Sequence, residues 1–163
     1  MFSIRGPRAI ALRVSLFLTS TYLSAGGSPP LGILTRAYEA HLNTAEAHAG
    51  LSVFAGETLA TSADGKLGVR VGAATLTYSQ GALATLQRIR RGTHVDMAAG
   101  DLFDTTPETA FVEVHIAGAV LRPEGNQAKP AEIQRLGPKV IQVSARHGNL
   151  ELYYGEEFRL IPE

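Results

Sequence analysis

The stretch that decides the fold is residues 66–78, Lys-Leu-Gly-Val-Arg-Val-Gly-Ala-Ala-Thr-Leu-Thr-Tyr. Apolar residues alternate with polar or small ones up to Val71, and the alternation resumes after the Gly72-Ala73 pair. Because side chains two residues apart share one face of a strand, this pattern predicts two strands, each with one buried face. The glycine-containing pair between them predicts the turn of a β-hairpin.

Three further segments, residues 112–116, 141–145 and 150–154, have the same period of two. Turn-forming residues separate the predicted strands at intervals of roughly ten residues, a spacing typical of sandwiches and rolls. The sequence therefore predicts an all-β fold, a compact antiparallel sandwich or roll of short strands, and the alternation leaves the strand order open. The turn signals are Asp64-Gly65, Gln80-Gly81, Arg91-Gly92, Gly100-Asp101, Glu124-Gly125-Asn126, Gly137-Pro138, Gly148-Asn149 and Gly155.

Composition limits the classes of partner. The 163 residues fit a single domain, and 15 basic residues balance 15 acidic ones, so no global charge attracts nucleic acid. The chain has no Cys, which excludes disulfides, thiolate metal ligands and a Cys nucleophile. We therefore expect partners to be recognised by a local surface.

The first 27 residues are similar to a secretory signal peptide. Arg5, Arg8 and Arg13 precede the apolar run 14–18, and small residues follow at 24–27. This order predicts a periplasmic or secreted protein that is peripheral to the membrane at most. Residues 28–49 form an Ala-rich lead-in whose propensity allows a helix, although its apolar spacing does not decide between helix and strand.

Residues 56–72, Gly-Glu-Thr-Leu-Ala-Thr-Ser-Ala-Asp-Gly-Lys-Leu-Gly-Val-Arg-Val-Gly, resemble the opening of the FecR domain. Residues 140–162 are similar to the end of that domain, and residues 109–122 occupy the place of its central strand pair. The resemblance covers residues 50–163 and implies an extracytoplasmic regulatory module that contacts other proteins. In some members, such a domain relays transporter occupancy to an anti-sigma segment. We expect this chain to carry the extracytoplasmic part of that role or to be a fragment of a longer protein.

No local catalytic motif is present, so we expect no enzymatic activity, no catalytic residue, no cofactor and no metal. His94 and Asp96, two residues apart on one strand, are the nearest approach to a metal site among the histidines, and we interpret them as part of a polar strand face. We expect His115 on the polar side of its strand and His147 in a turn.

The candidate partner-binding residues are Arg88, Arg90, Arg91 and Tyr153. Three guanidinium groups within four residues can bind carboxylate or phosphate groups. Tyr153 faces away from Leu150 and Leu152, whereas Tyr154 shares their face and is expected in the core. The expected partner is a protein of the cell envelope, bound through these residues or along an exposed strand edge.

Two other functions stay open. One is a carbohydrate-binding or cell-surface structural domain, since aromatic side chains of β-sandwiches can stack on sugars. The other is a small cupin-like β-barrel enzyme, which needs His and acidic ligands that converge from distant strands.

Overall fold

The computed structural model of the chain describes residues 28–105, 110–124, 131–146 and 148–162. Within these ranges the fold is all-β without a helix, which confirms the predicted class, and no helix there could cross a membrane. The signal-like segment 1–27 and His147 lie outside the described residues. In chain order, the strands are β1 Gly32–Leu42, β2 Ala45–Glu46, β3 Ser52–Val53, β4 Thr58–Val71, β5 Ala74–Ile89, β6 Gly92–Thr105, β7 Val112–Ile116, β8 Ala119–Pro123, β9 Ala131–Gly137, β10 Val140–Ala145, β11 Leu150–Tyr154 and β12 Glu157–Ile161.

Four long strands, β1, β4, β5 and β6, lie side by side in one sheet, each antiparallel to the next, and we call them the central strands. The hairpin predicted at residues 66–78 is confirmed, because Val71 pairs with Ala74 across a turn in which Gly72 has a φ of +59°. Glycine adopts this left-handed conformation without the strain that a Cβ atom would cause. The apolar face predicted for both strands is buried.

The sheet divides at β6, because two different strands pair with its far edge. From Thr93 to Met97, β6 pairs with β7 in parallel, and from Asp101 to Asp104 it pairs with β9 in antiparallel orientation. One branch continues from β7 through β8 and β11 to β12, and the other is the β9–β10 hairpin. The sheet is therefore mixed and its central strands are long, which differs from the predicted antiparallel set of short strands. Alternation reports which face is buried, not the direction of the neighbouring strand.

Three predicted turns are in fact irregularities inside long strands. Asp64-Gly65 lies within β4, Gln80-Gly81 within β5 and Gly100-Asp101 within β6, and the pairing register shifts near each one. A matching shift occurs in β1 at Glu39, whose φ is +45°. Glycine is suited both to bulges and to turns because, without a Cβ atom, it allows close approach of a neighbouring backbone and a positive φ. We call this line of bends across the four strands the crease.

Hydrogen bonds link neighbouring strands along the crease. The Ser62 hydroxyl lies 2.7 Å from the Glu39 carboxylate, to which it donates, and the Ala82 N–H donates to the Thr61 hydroxyl at 2.8 Å. From the second branch, the Arg135 guanidinium donates to the carbonyl of Ala98 on β6. Bulges increase the local bend and twist of a sheet, so the crease lets one continuous sheet enclose its own core.

The Ala-rich lead-in 28–49 forms a strand rather than a helix. β1 pairs with β4 from Ile33 to Leu42, and its Leu34 and Ala40 side chains are buried against the other central strands. Tertiary pairing therefore overrides the helical propensity of alanine in this segment.

The central strands and both branches contribute side chains to one buried apolar cluster. Its fully buried members include Leu34, Leu67, Leu86 and Met97 from the central strands and Ile133 from β9. Further apolar side chains from β10, β11 and β12 pack against the cluster from the ends of the two branches. The branches are therefore parts of one folded unit.

The core contains one polar atom that the described residues leave without a hydrogen bond, the hydroxyl of Tyr78. Burial raises the pKa of Tyr78 far above its ordinary value, and the nearby Asp104 carboxylate raises it further. Tyr78 is therefore neutral in the folded protein under ordinary conditions.

The crease predicts unequal effects of two glycine substitutions. Gly81 and Gly100 both have positive φ, but a Cβ atom at Gly81 meets open space, whereas one at Gly100 overlaps the backbone of Ala82. We expect Gly81→Ala to cost about 1 kcal/mol from backbone strain alone. Gly100→Ala adds a steric clash and should cost about 2–4 kcal/mol. Urea unfolding measures the free energy of unfolding of both variants. Equal losses would show that the backbone around Gly100 and Ala82 can move apart to make room for a Cβ atom.

Tyr78→Phe removes a buried hydroxyl that has no hydrogen bond to lose. We expect this variant to equal the wild type at neutral pH or to be more stable by up to about 1 kcal/mol. Above about pH 10 the unfolded chain releases the Tyr78 proton while the folded chain retains it, so wild-type stability falls as the pH rises. The advantage of the variant should therefore grow by about 1.4 kcal/mol at pH 11. Urea unfolding at the two pH values tests this, and a variant clearly weaker than wild type at neutral pH would contradict it.

Candidate functional site

The outer face of the first branch carries two rows of polar and aromatic side chains. In β6 and β7 the buried residues Val95, Met97 and Val114 point to the core, so the residues between them point outward. The first row contains His94, Glu113, Arg122 and Glu151, and the second contains Asp96, His115, Val120, Tyr153 and Phe158. Strand pairing thus places residues from five strands next to one another.

Arg122, Glu151 and Tyr153 form a network in the middle of this face. The Arg122 Nε donates to Glu151 Oε2 at 2.8 Å, and the Tyr153 hydroxyl donates to the same oxygen at 3.0 Å. The Arg122 guanidinium also lies over the Tyr153 ring, 4.3 Å from its centroid. Hydrogen bonding with Tyr153, and then with Glu151, raises the pKa of Arg122. Arg122 is therefore held in place as a permanent cation.

An open groove of about 890 Å³ lies beside this network. Its charged and aromatic lining comes from several strands and includes Arg90, Arg91, Arg122, Glu113, Glu151 and Tyr153. Arg90 and Arg91 are exposed, and the described residues contain no ion-pair partner for either. Two guanidinium groups at the rim of such a groove are suited to bind carboxylate or phosphate groups.

The structure brings together three of the four residues predicted to bind a partner. Arg90, Arg91 and Tyr153 line the groove. Arg88 does not; it donates to the carbonyl of Pro30 at 3.1 Å and borders a second depression of about 310 Å³, which Arg91 also lines. Arg122 completes the groove and was not among the residues predicted from the sequence. Arg122 is a single basic residue in β8, so the sequence alone gives no sign that it belongs to the groove. Its pairing with β11 shows that it does.

A second cluster on the same face contains two histidines and a carboxylate. His115 Nε2 lies 2.8 Å from Glu113 Oε1, and His94 Nδ1 lies 3.7 Å from the same oxygen. The two imidazole rings are tilted by 51° with centroids 4.0 Å apart. His94 and Asp96 share the outward face as predicted, but the groups that surround His94 come from β7. The parallel register of β6 and β7, which pairs His94 with Glu113, creates the cluster.

The prediction that Tyr154 lies in the core is wrong, because its side chain is 50% exposed. Leu150 on the same face is buried and Leu152 is partly buried, so burial declines along β11 toward its hairpin end. Tyr154 pairs with Ala119 and lies over the β7–β8 turn, where a Cβ atom on Gly118 would be 3.5 Å from the ring. Alternation identifies the face of a strand but not the point at which the core beneath it ends.

Comparison with protein-family models, curated proteins and solved structures found no match for the chain. The resemblance to the FecR domain therefore stays a prediction from the sequence.

The Arg122–Glu151 pair should contribute more than an exposed pair nearby. Its side chains are 39% and 23% exposed, whereas those of Arg159 and Glu157, which are 3.7 Å apart, are 75% and 72% exposed. Double-mutant cycles with Ala should give a coupling free energy of about 1 kcal/mol for the first pair and no more than about 0.3 kcal/mol for the second. Equal couplings would mean that the network on the outer face does not order Arg122.

Proposed function

We propose that the protein is an extracytoplasmic binding module of FecR-like type, and that it binds an acidic segment of a cell-envelope protein. The observation that carries this proposal is the groove into which Arg90, Arg91 and Tyr153 converge. The resemblance to the FecR domain and the signal-like residues 1–27 support the extracytoplasmic location.

The charge pattern of the groove favours an acidic partner. The Glu151 carboxylate is engaged by Arg122 and Tyr153, and the Glu113 carboxylate faces two histidines. Arg90 and Arg91 are the groove cations for which the described residues offer no carboxylate. An incoming carboxylate can form charge-assisted hydrogen bonds with these two residues.

The end of the branch offers an apolar surface beside the groove. β12 is the last strand in the sheet order, and its Phe158 and Leu160 are 54% and 44% exposed. Exposed apolar side chains on an edge strand are typical of surfaces that bind another protein. A partner that contacts both the arginines and this edge would combine electrostatic and apolar recognition.

The geometry of Tyr153 gives less support to the carbohydrate-binding alternative. One face of its ring is covered by Arg122, and the Phe158 ring lies against it at a centroid distance of 5.1 Å. Sugar recognition by stacking needs an uncovered aromatic face. Tyr153 therefore fits a role in ordering Arg122 within a protein-binding surface.

Site-specific photo-crosslinking in the source organism tests this proposal. A photoreactive phenylalanine analogue at Phe158 should crosslink to an envelope protein, whereas the same analogue at Tyr38, an exposed residue of β1, should not. Arg90→Ala combined with Arg91→Ala should lower the crosslinking yield at least about tenfold, because charged hydrogen bonds are lost.

The matched control is the double variant Arg36→Ala and Arg70→Ala, which removes the same charge from exposed positions on β1 and β4. This control should crosslink as the wild type does. A protein that fractionates with the cytosol, or equal losses in both double variants, would overturn the proposal.

A further inference from the structure

We propose that His94, Glu113 and His115 bind a zinc ion on the outer face of the β6–β7 pair. Their three candidate ligand atoms all lie within 4.8 Å of one another. This assignment does not depend on the function proposed above, although Glu113 also lines the groove, because it rests on the two histidines and on metal coordination.

The spacing of the ligand atoms fits a tetrahedral metal. Zinc bonds to His nitrogen and carboxylate oxygen are about 2.0–2.2 Å long, which places neighbouring ligand atoms about 3.3–3.6 Å apart. The distances from Glu113 Oε1 to His115 Nε2 and to His94 Nδ1, 2.8 and 3.7 Å, lie on either side of that range. Both distances are within about 0.5 Å of the range expected around a bound zinc ion.

The donor set selects the class of metal. Two imidazoles and one carboxylate suit zinc and related transition metals, whereas Ca²⁺ and Mg²⁺ prefer oxygen ligands. Zinc sites with two His and one Glu keep a fourth position for water or another ligand. The three side chains are 20%, 20% and 38% exposed, so solvent can reach that position.

The strands beneath the cluster hold the ligands in place. His94 and Glu113 are directly opposite each other in the parallel register, and Asp96 is opposite His115. Between them, Val95, Val114 and Ile116 are anchored in the core. A metal site built on rigid strands loses little entropy when the ion binds.

A metal-free ion pair explains only part of this arrangement. A hydrogen bond between His115 and Glu113 accounts for the 2.8 Å distance. That hydrogen bond does not involve His94, whose Nδ1 lies 3.7 Å from the same oxygen, beyond hydrogen-bonding distance, and whose ring centroid is 4.0 Å from that of His115. A cation bound between the two rings would bond to both imidazole nitrogens and to the carboxylate at once.

Isothermal titration of the tag-free, metal-stripped full chain with zinc chloride tests the proposal. We expect one zinc ion per chain, with at least about tenfold weaker binding in His94→Gln, Glu113→Gln and His115→Gln. Glu113→Gln is nearly isosteric and sits on the outer face, so circular dichroism should show an unchanged β-sheet signal. Cobalt(II) should give the intense visible absorption of tetrahedral coordination in the wild type and lose it in these variants.

The matched control is His41→Gln combined with His48→Gln, which removes two exposed imidazoles elsewhere on the chain. This control should bind zinc as tightly as the wild type. Zinc binding that survives in the three cluster variants, or that disappears in the control, would overturn the proposal.

Discussion

The pairing of β6 determines how the other strands of the sheet are arranged. One edge of β6 is paired with β5 along nearly its whole length, whereas its other edge is shared between β7 and β9. Gly100, with a φ of +79° and its Cα against Ala82, lies between the two shared segments. The bend at this glycine directs the two halves of β6 to different neighbours, so both branches of the sheet depend on it.

The outer-face chemistry follows from the same division. Because β7 runs parallel to the first half of β6, His94 meets Glu113 and Asp96 meets His115. An antiparallel partner would reverse the order of the β7 residues, so Glu113 would no longer lie directly opposite His94. The later antiparallel steps to β8 and β11 then bring Arg122, Glu151 and Tyr153 onto the same face. A groove and a histidine cluster therefore arise side by side from residues that are far apart in the sequence.

The sequence predicts what depends on local pattern and misses what depends on pairing. The 66–78 hairpin is predictable because its two strands and its turn are contiguous, and the buried faces of residues 112–116 follow from period two alone. The bulges at Gln80-Gly81 and Gly100-Asp101 look like turns because glycine supplies the same backbone freedom to both. The histidine cluster cannot be predicted without knowing the parallel register of β6 and β7. The position of Arg122 at the groove cannot be predicted without knowing that it pairs with Glu151. Arg90, Arg91 and Tyr153 were predicted because their side-chain chemistry is visible in isolation.

Each of the two carboxylates in the first row has its own partners on the outer face. Arg122 is committed to Glu151 by a 2.8 Å hydrogen bond, which leaves Glu113 to the imidazoles of His94 and His115. A divalent ion at Glu113 would add positive charge to one wall of the groove. That charge is opposite in sign to the charge of an acidic ligand. The proposed zinc site and the proposed acidic partner are thus electrostatically compatible, since attraction between the groove and a carboxylate increases with each added positive charge. Because the chain has zero formal charge, its electrostatic selection of an anionic partner depends on positive charge concentrated at one local surface.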